Sequence, residues 1–512
     1  MIHKATDFRR LCLGTLALLL AQTSLAGQWV TAPLTNANRL PLNGGVATVS
    51  RLANTVEYFW IAKDGSIQDG YWYQGGDRGS FQIAPPGSAA PEAGIVAVSR
   101  DWNTIEIFWV SPQGAVKHAF WYEGQAWKIG EIAGPGSAST QATIGAVSRE
   151  TNTIEIFWID PSGAVWDAYF YQGQSWQKFQ LAPPASAKTA GGVAAVSRKP
   201  DTIEVFWIRP NNAITDAYFY QGGSWKQFEL MPAGSTAGKS RITALSRSTD
   251  QLELWWSASG GSLQSAYWTE GQPWKKQLVA ENNAVKEDSG LTAVSRKKGV
   301  AEVWWTGPDA VLQDAYSYSP ASWGKFALSQ SVRAASSSRP AAVSPHERAL
   351  EIFWIDTAGT LQTSFWYEPA AALSASVVEC GQKSVGVHFA PGQCTDSVSA
   401  VLRCAGAAAA DFSDSNRYKW GNEIALTDVK PGDVIQMHDV GAYQCDGITH
   451  YGTSRHTVLV EKVEGKILTV LNQNVKGDAA TSNAEINTVV RDKLNLGCSI
   501  PGRIYAYRPR VQ

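Results

Sequence analysis

A 49-residue period constrains this chain more than any other feature. Ala-Val-Ser-Arg, or a close variant, ends at Arg51, Arg100, Arg149, Arg198, Arg247 and Arg296, and the next slot holds Pro345 after Ala342-Val343-Ser344. Every step is 49 residues, without an insertion or deletion. Two further columns run in step: Glu57, Glu106, Glu155, Glu204, Glu253, Glu302 and Glu351, then Trp60, Trp109, Trp158, Trp207, Trp256, Trp305 and Trp354. A repeat in strict register is one supersecondary unit stacked on copies of itself.

Each copy holds four strand-like runs. In the third copy they are Gly145 to Ser148, Thr153 to Ile159, Val165 to Tyr171 and Trp176 to Leu181. β-Branched and aromatic residues fill them, and Asp160-Pro161-Ser162-Gly163, Gly173 and Pro183-Pro184 separate them. Four strands per unit of roughly 40–50 residues is a β-propeller pattern, so the spacing predicts an all-β, seven-bladed propeller over residues 27–369. The seventh copy lacks a fourth strand. Trp29 lies 49 residues before Arg78, so Gly27 to Leu34 is a fourth strand without its own blade. It is expected to complete the last blade and close the ring, leaving no open edge there.

The third-strand column of Trp72, Trp121, Phe170, Phe219, Trp268, Ser317 and Trp366 is mostly aromatic. Flat aromatic faces suit the apolar side of a sugar ring, and Trp72, Trp121, Trp268 and Trp366 are the candidate carbohydrate-binding residues. The same rings also suit packing between blades. The Arg and Glu columns carry the same choice, since they can join strands or meet sugar hydroxyls. Taken together, Ala-Val-Ser-Arg, Ile-Glu-Ile-Phe-Trp, Gly-Ala-Val and Tyr-Phe-Tyr-Gln-Gly resemble bacterial and fungal propeller lectins, several of them fucose-binding. That resemblance implies a multivalent ring that binds cell-surface glycans, with avidity from repeated sites.

The first 26 residues read as an export signal: Lys4, Arg9 and Arg10, then the apolar stretch Leu11 to Ala21, then the small-x-small site Ser24-Leu25-Ala26. The protein is therefore expected in the periplasm or outside the cell. No other apolar run approaches the roughly 18 residues a membrane span requires. The full chain has 44 basic and 45 acidic side chains, a balance that argues against nucleic acid as a partner. No oligomeric state can be read from the sequence.

After Tyr367 the period stops. Residues 370–378 are rich in Ala and Ser and read as a linker, and residues 379–512 read as a second domain. Of the 22 Trp only Trp420 lies beyond Trp366, whereas every Cys except Cys12 lies there. Cys380, Cys394, Cys404, Cys445 and Cys498 make five, an odd number that suggests two disulfides and one working thiol in an oxidising compartment. Cys394 is the candidate thiol, because it precedes the helical pattern Val398, Val401, Leu402, Ala405. A Cys at a helix N-terminus faces free N–H groups that favour the thiolate. Cys380, Cys404, Cys445 and Cys498 are left for disulfides, with three pairings open.

The general base is sought among distant histidines. His456 opens an alternating run to Val463, and a second strand runs from Ile467 to Asn472. A three-residue turn of Val463-Glu464-Gly465 pairs Lys462 with Lys466 and puts Asn472 opposite His456, within reach to orient the imidazole. A two-residue turn puts Gln473 there instead. His388, His438 and His450 lack such a strand partner, and their spacing with Cys445 fits no zinc pattern, so no metal or cofactor is expected.

This segment resembles the CHAP family of cysteine amidases and peptidases over roughly residues 380–510. Gly392-Gln393-Cys394-Thr395 matches the nucleophile motif, and Pro431-Gly432-Asp433-Val434-Ile435 the first core strand. His456 with Val458-Leu459-Val460 matches the His strand, and Ile504-Tyr505-Ala506-Tyr507-Arg508-Pro509 the close. Asn472-Gln473-Asn474 stands where the family has Glu-x-Asn, so Asn472 departs from the pattern, though a Cys–His–Asn set is known in papain-like enzymes. The resemblance implies a small α+β papain-like domain with Cys394, His456 and Asn472 catalytic and Gln393 and Asn474 in secondary or oxyanion roles. It also implies a peptidoglycan substrate, cut at the amide between sugar and peptide or within the peptide. The expected protein is thus an exported cell-wall hydrolase targeted by a lectin ring. The alternatives are a lectin or adhesin whose second domain does not catalyse, and a toxin-like effector acting on another cell's wall.

Overall fold

The computed structural model describes residues 29–510 apart from 74–75, 321, 330, 368–369, 414–416, 451–452, 474, 477–484 and 487. The proposed export signal and Asn474 therefore lie outside the described residues. The first part of the chain forms seven four-stranded antiparallel sheets. The first comprises Val46–Val49, Thr55–Ile61, Ile67–Tyr73 and Gly79–Ala84, in that order. The third comprises Gly145–Val147, Thr153–Ile159, Val165–Tyr171 and Gln177–Ala182. In the seventh, Ala341–His346, Ala349–Ile355 and Leu361–Tyr367 are joined by Val30–Pro33, which pairs antiparallel to the last of them with Val30 opposite Phe365. The first strand of each sheet lies against the first strand of the next, and that of the seventh against that of the first. These strands therefore surround a common axis.

The second strands are buried on both faces along their length. Their Trp side chains sit between sheets, and each indole needs an acceptor because it leaves water. The loop 21 residues upstream supplies one: Trp109 Nε1 donates to Ser88 O at 2.9 Å, Trp158 to Ser137 O at 2.8 Å and Trp207 to Ser186 O at 3.1 Å. The Trp column thus couples apolar packing between sheets to a fixed loop position.

The second part has two helices and a six-stranded antiparallel sheet. Helix α1 spans Ala370–Ser384 and helix α2 spans Cys394–Cys404. The sheet order is Asn422–Ile424, Arg503–Arg508, Val434–Val440, Thr453–Glu464, Ile467–Asn472, Val490–Asn495. Leu373 and Val377 of α1 share a core with Val398, Val401 and Leu402 of α2 and with Val434, Leu459, Leu471 and Tyr507 of the sheet. The expectation of a linker at residues 370–378 is therefore corrected. Alanine favours helix, and Leu373 and Val377, four residues apart on one face, anchor this segment in the second core. Ala/Ser richness without Gly or Pro is a helix composition as readily as a linker's.

Candidate functional site

Cys394 opens α2, and its side chain is 9% exposed. The carboxylate of Asp396 accepts from the N–H groups of Gln393 at 2.7 Å and Gly392 at 3.1 Å, which fixes the chain's entry into the helix. Gly392 has φ +106°, a backbone conformation that favours glycine. Gln473, fully buried, holds the preceding loop: its Nε2 donates to Phe389 O at 2.8 Å and its Oε1 accepts from Phe389 N–H at 3.4 Å. Gln393 itself is the exposed residue before the helix.

The hairpin bearing His456 and Asn472 differs from the register expected. Glu464 pairs with Ile467, Val463 with Leu468 and Lys462 with Thr469, so the turn is Gly465-Lys466. A bulge at Glu461 then shifts the ladder, and Val460 pairs with Val470 and Leu459 with Leu471. Extended by one pair, this register sets Asn472 opposite Val458, not His456 and not with Gln473 in its place. Without the bulge every later residue of one strand would face the other side of the sheet. With it, Asn472 stays on the face of His456 and reaches that ring diagonally. His456 Nε2 and Asn472 Oδ1 are 2.6 Å apart.

Asn472 Oδ1 accepts when Nε2 carries the proton, and Asn472 Nδ2 then donates to Asp492 Oδ2 at 3.4 Å. Cys394 lies close enough to His456 for each to act on the other's titration. Burial pushes the Cys394 thiol up, but the hydrogen bond and charge of His456 and the N–H groups of Thr457 and Thr395 outweigh it and hold the thiol below its usual value. Burial pulls His456 down, but Cys394, Asn472 and the charge of Asp492 together raise it above the usual imidazole value. Both shifts favour a thiolate–imidazolium pair. Cys380 pairs with Cys404 and Cys445 with Cys498, and among the described cysteines Cys394 alone is free. The first disulfide ties α1 to the far end of the helix that begins with Cys394.

The structure thus gathers Cys394, His456 and Asn472. Of the rival bases, His438 Nδ1 faces Asp439 at 2.9 Å, and His388 lies in the loop before Cys394. Asp492 had no assigned role in the sequence reading, and Gln473, the alternative partner of His456 there, instead holds the loop before Cys394. Asp492 comes from a strand that pairs beside Asn472, and no spacing in the sequence announces that pairing. The one cluster of potential metal ligands among the described residues is Cys445, Asp446 and Cys498, whose two sulfurs are already joined to each other.

Around the first part, the Arg column joins neighbouring sheets. Arg100 meets Glu106 of its own sheet at 3.2 Å, and Arg247 meets Glu253 at 2.6 Å. Other arginines of the column reach onward: Arg51 Nη1 donates to Trp102 O at 2.8 Å, Arg198 Nη1 to Thr249 O at 2.7 Å and Arg296 Nη1 to Glu347 O at 2.7 Å. Each also lies over an aromatic ring of the next sheet, Arg51 over Trp121 at 4.8 Å, Arg198 over Trp268 at 4.9 Å and Arg296 over Trp366 at 5.1 Å. One face of each of those Trp rings is therefore covered by protein. Trp72 stands at the junction where the Arg slot holds Pro345, and there Arg78 pairs instead with Glu351 of the seventh sheet. The four Trp residues are half-buried and lie on four different sheets. An open depression of about 530 Å3 lies between sheets, lined by Ser99, Arg100, Ser148, Arg149, Glu150, Thr151 and Pro200.

The repeated four-stranded sheets have a β-propeller fold. The BP39L lectin from Burkholderia pseudomallei superposes with a TM-score of 0.59 at 18% identity, covering 65% of this chain and 97% of that one. AofleA from Arthrobotrys oligospora gives 0.46 at 17% identity, covering 59% and 91%. The Aleuria aurantia lectin, described as a six-bladed β-propeller with a fucose recognition mode, gives 0.42 at 15% identity, covering 65% and 94%. No family model and no curated protein matches the sequence.

Proposed function

We propose that this protein is an exported carbohydrate-binding protein, a seven-bladed propeller lectin joined to a CHAP-type, papain-like cysteine hydrolase. The lectin fold supports the binding half, and the repeated sheets offer related surfaces around the ring to a surface dense in glycans. One observation carries the catalytic half: the one free thiol among the described cysteines lies within the electrostatic reach of a His that Asn472 holds at 2.6 Å. In this reading Cys394 attacks an amide carbonyl and His456 gives its proton to the leaving amine. The Cys394 N–H, at a helix start where no intrahelical carbonyl takes it up, supports the oxyanion. Water, deprotonated by His456, then releases the acyl group. Export and the CHAP resemblance favour peptidoglycan, at the muramoyl–peptide amide or within the peptide.

The second reading is a lectin or adhesin without hydrolysis, and it is favoured by the comparisons, whose similar structures are lectins. An effector aimed at another cell's wall uses the same chemistry with a different target. Incubating the protein with insoluble peptidoglycan separates the readings. Soluble fragments from the wild type but not from Cys394→Ala, with equal glycan binding by both, support hydrolysis. Binding without fragments from either leaves the lectin.

A further inference from the structure

At the end of the ring where the first strands begin, the repeat column reads Gly45, Gly94, Thr143, Gly192, Arg241, Gly290 and Arg339. Two arginines thus stand among small residues around the axis. The Arg339 side chain runs past Gly45 toward Gly94, where an added Cβ would lie 3.1 Å from Nη1, and its Nη2 donates to Glu92 O. Arg339 is 9% exposed, yet its Nε and Nη1 have no partner; Nε and Nη1 of Arg241 are likewise buried and unpartnered. Burial, and next the charge of Arg241, press Arg339 toward its neutral form. A guanidinium does not give up its proton in a protein, so the pressure remains as an unmet demand for negative charge.

Two acids lie nearby, and neither meets that demand. Glu92 is exposed, with Oε1 accepting from Asn43 Nδ2 at 3.3 Å. Asp288 is half-buried with Oδ1 unpartnered, and it forms no ion pair with Arg241. Asp288 acts on Arg241 and Glu92 on Arg339 through charge alone, and four buried donors are left without a hydrogen bond, which is costly because buried polar groups in folded proteins are almost always paired.

We propose that Arg241 and Arg339 form an oxyanion-binding site at the axis of the ring, separate from the junctions between sheets and from Cys394. The ligand class is a small phosphate, sulfate or carboxylate group, which can accept from both guanidinium groups at once. Asp288 Oδ1 remains free to accept a hydroxyl, so an acidic sugar fits as well as an inorganic ion.

The test is the thermal midpoint of the full chain, followed by Trp fluorescence, against inorganic phosphate and separately against glucuronate, with chloride holding ionic strength constant. The wild type should show a saturable rise with at least one probe, and the probe that gives it distinguishes an inorganic ion from an acidic sugar. Arg241→Gln should abolish the rise without lowering the midpoint in chloride, because the buried Nε and Nη1 of Arg241 have no hydrogen-bond partner to lose. Arg209→Gln, at an exposed pair, should leave the rise intact. No saturable rise with either probe, or an unchanged rise in Arg241→Gln, overturns the proposal. Cys394 plays no part in any arm, so the outcome is independent of the hydrolase reading.

Discussion

Replacing Asn472 with Ala removes the 2.6 Å bond that holds His456 and leaves Cys394 in place. Asn472 Oδ1 accepts more strongly from a charged imidazolium than from a neutral ring, so it stabilises the thiolate–imidazolium pair over the neutral pair. A hydrogen bond to a charged group is worth about 1.5–3 kcal/mol, and about 1.4 kcal/mol corresponds to one pKa unit. The Cys394 thiol should therefore titrate at higher pH in Asn472→Ala than in the wild type. Alkylation by iodoacetamide reads this without knowledge of a substrate, because only the thiolate reacts. On the acid side of the wild-type profile the variant should react up to about ten- to a hundredfold more slowly than the wild type, and the two should converge at alkaline pH. Cys394→Ser supplies the blank. A profile for Asn472→Ala that overlays the wild type, or moves to lower pH, refutes the orienting role.

Other predictions concern stability. Arg247→Ala strands Glu253, whose carboxylate is as deeply buried as its partner, and should cost about 3–5 kcal/mol in denaturant unfolding, against about 0–1 kcal/mol for Arg209→Ala at an exposed pair. Burial pushes Glu106, Glu155, Glu253 and Glu302 up to about 7 although their Arg partners pull them back. An acid raised on folding contributes stability below its ordinary value that is lost as pH rises through the folded value, so the propeller should melt at a higher temperature at pH 5 than at pH 8. Replacing Cys380 and Cys404 together with Ser opens a loop of 24 residues' separation and should lower the stability of the second domain by about 3 kcal/mol, measured by urea unfolding.

The repeated sheets were legible because each copy repeats its strands and turns at one spacing, and even the lone strand near Trp29 follows from that arithmetic. The role of the Arg column was not legible: cation–π contacts join residues about 70 positions apart, and the sequence shows only that both columns exist. In the second domain, helix α2 followed from its apolar spacing. The hairpin register did not, because Glu461 fits the alternation of its strand while the bulge lies in the pairing. Asp492 went unassigned for the same reason, since its strand pairs with Ile467–Asn472 across an intervening segment. The segment 370–378 misled through composition, where two buried side chains, Leu373 and Val377, decide the matter.

The central claim is that Cys394 cleaves an amide, and mass analysis of peptidoglycan digested in parallel by the wild type and Cys394→Ala tests it most directly. The wild-type products should carry one new amine–carboxyl pair, at the muramoyl–peptide or a peptide bond, and those of the variant none. Identical products from both proteins, or none from either, would contradict it.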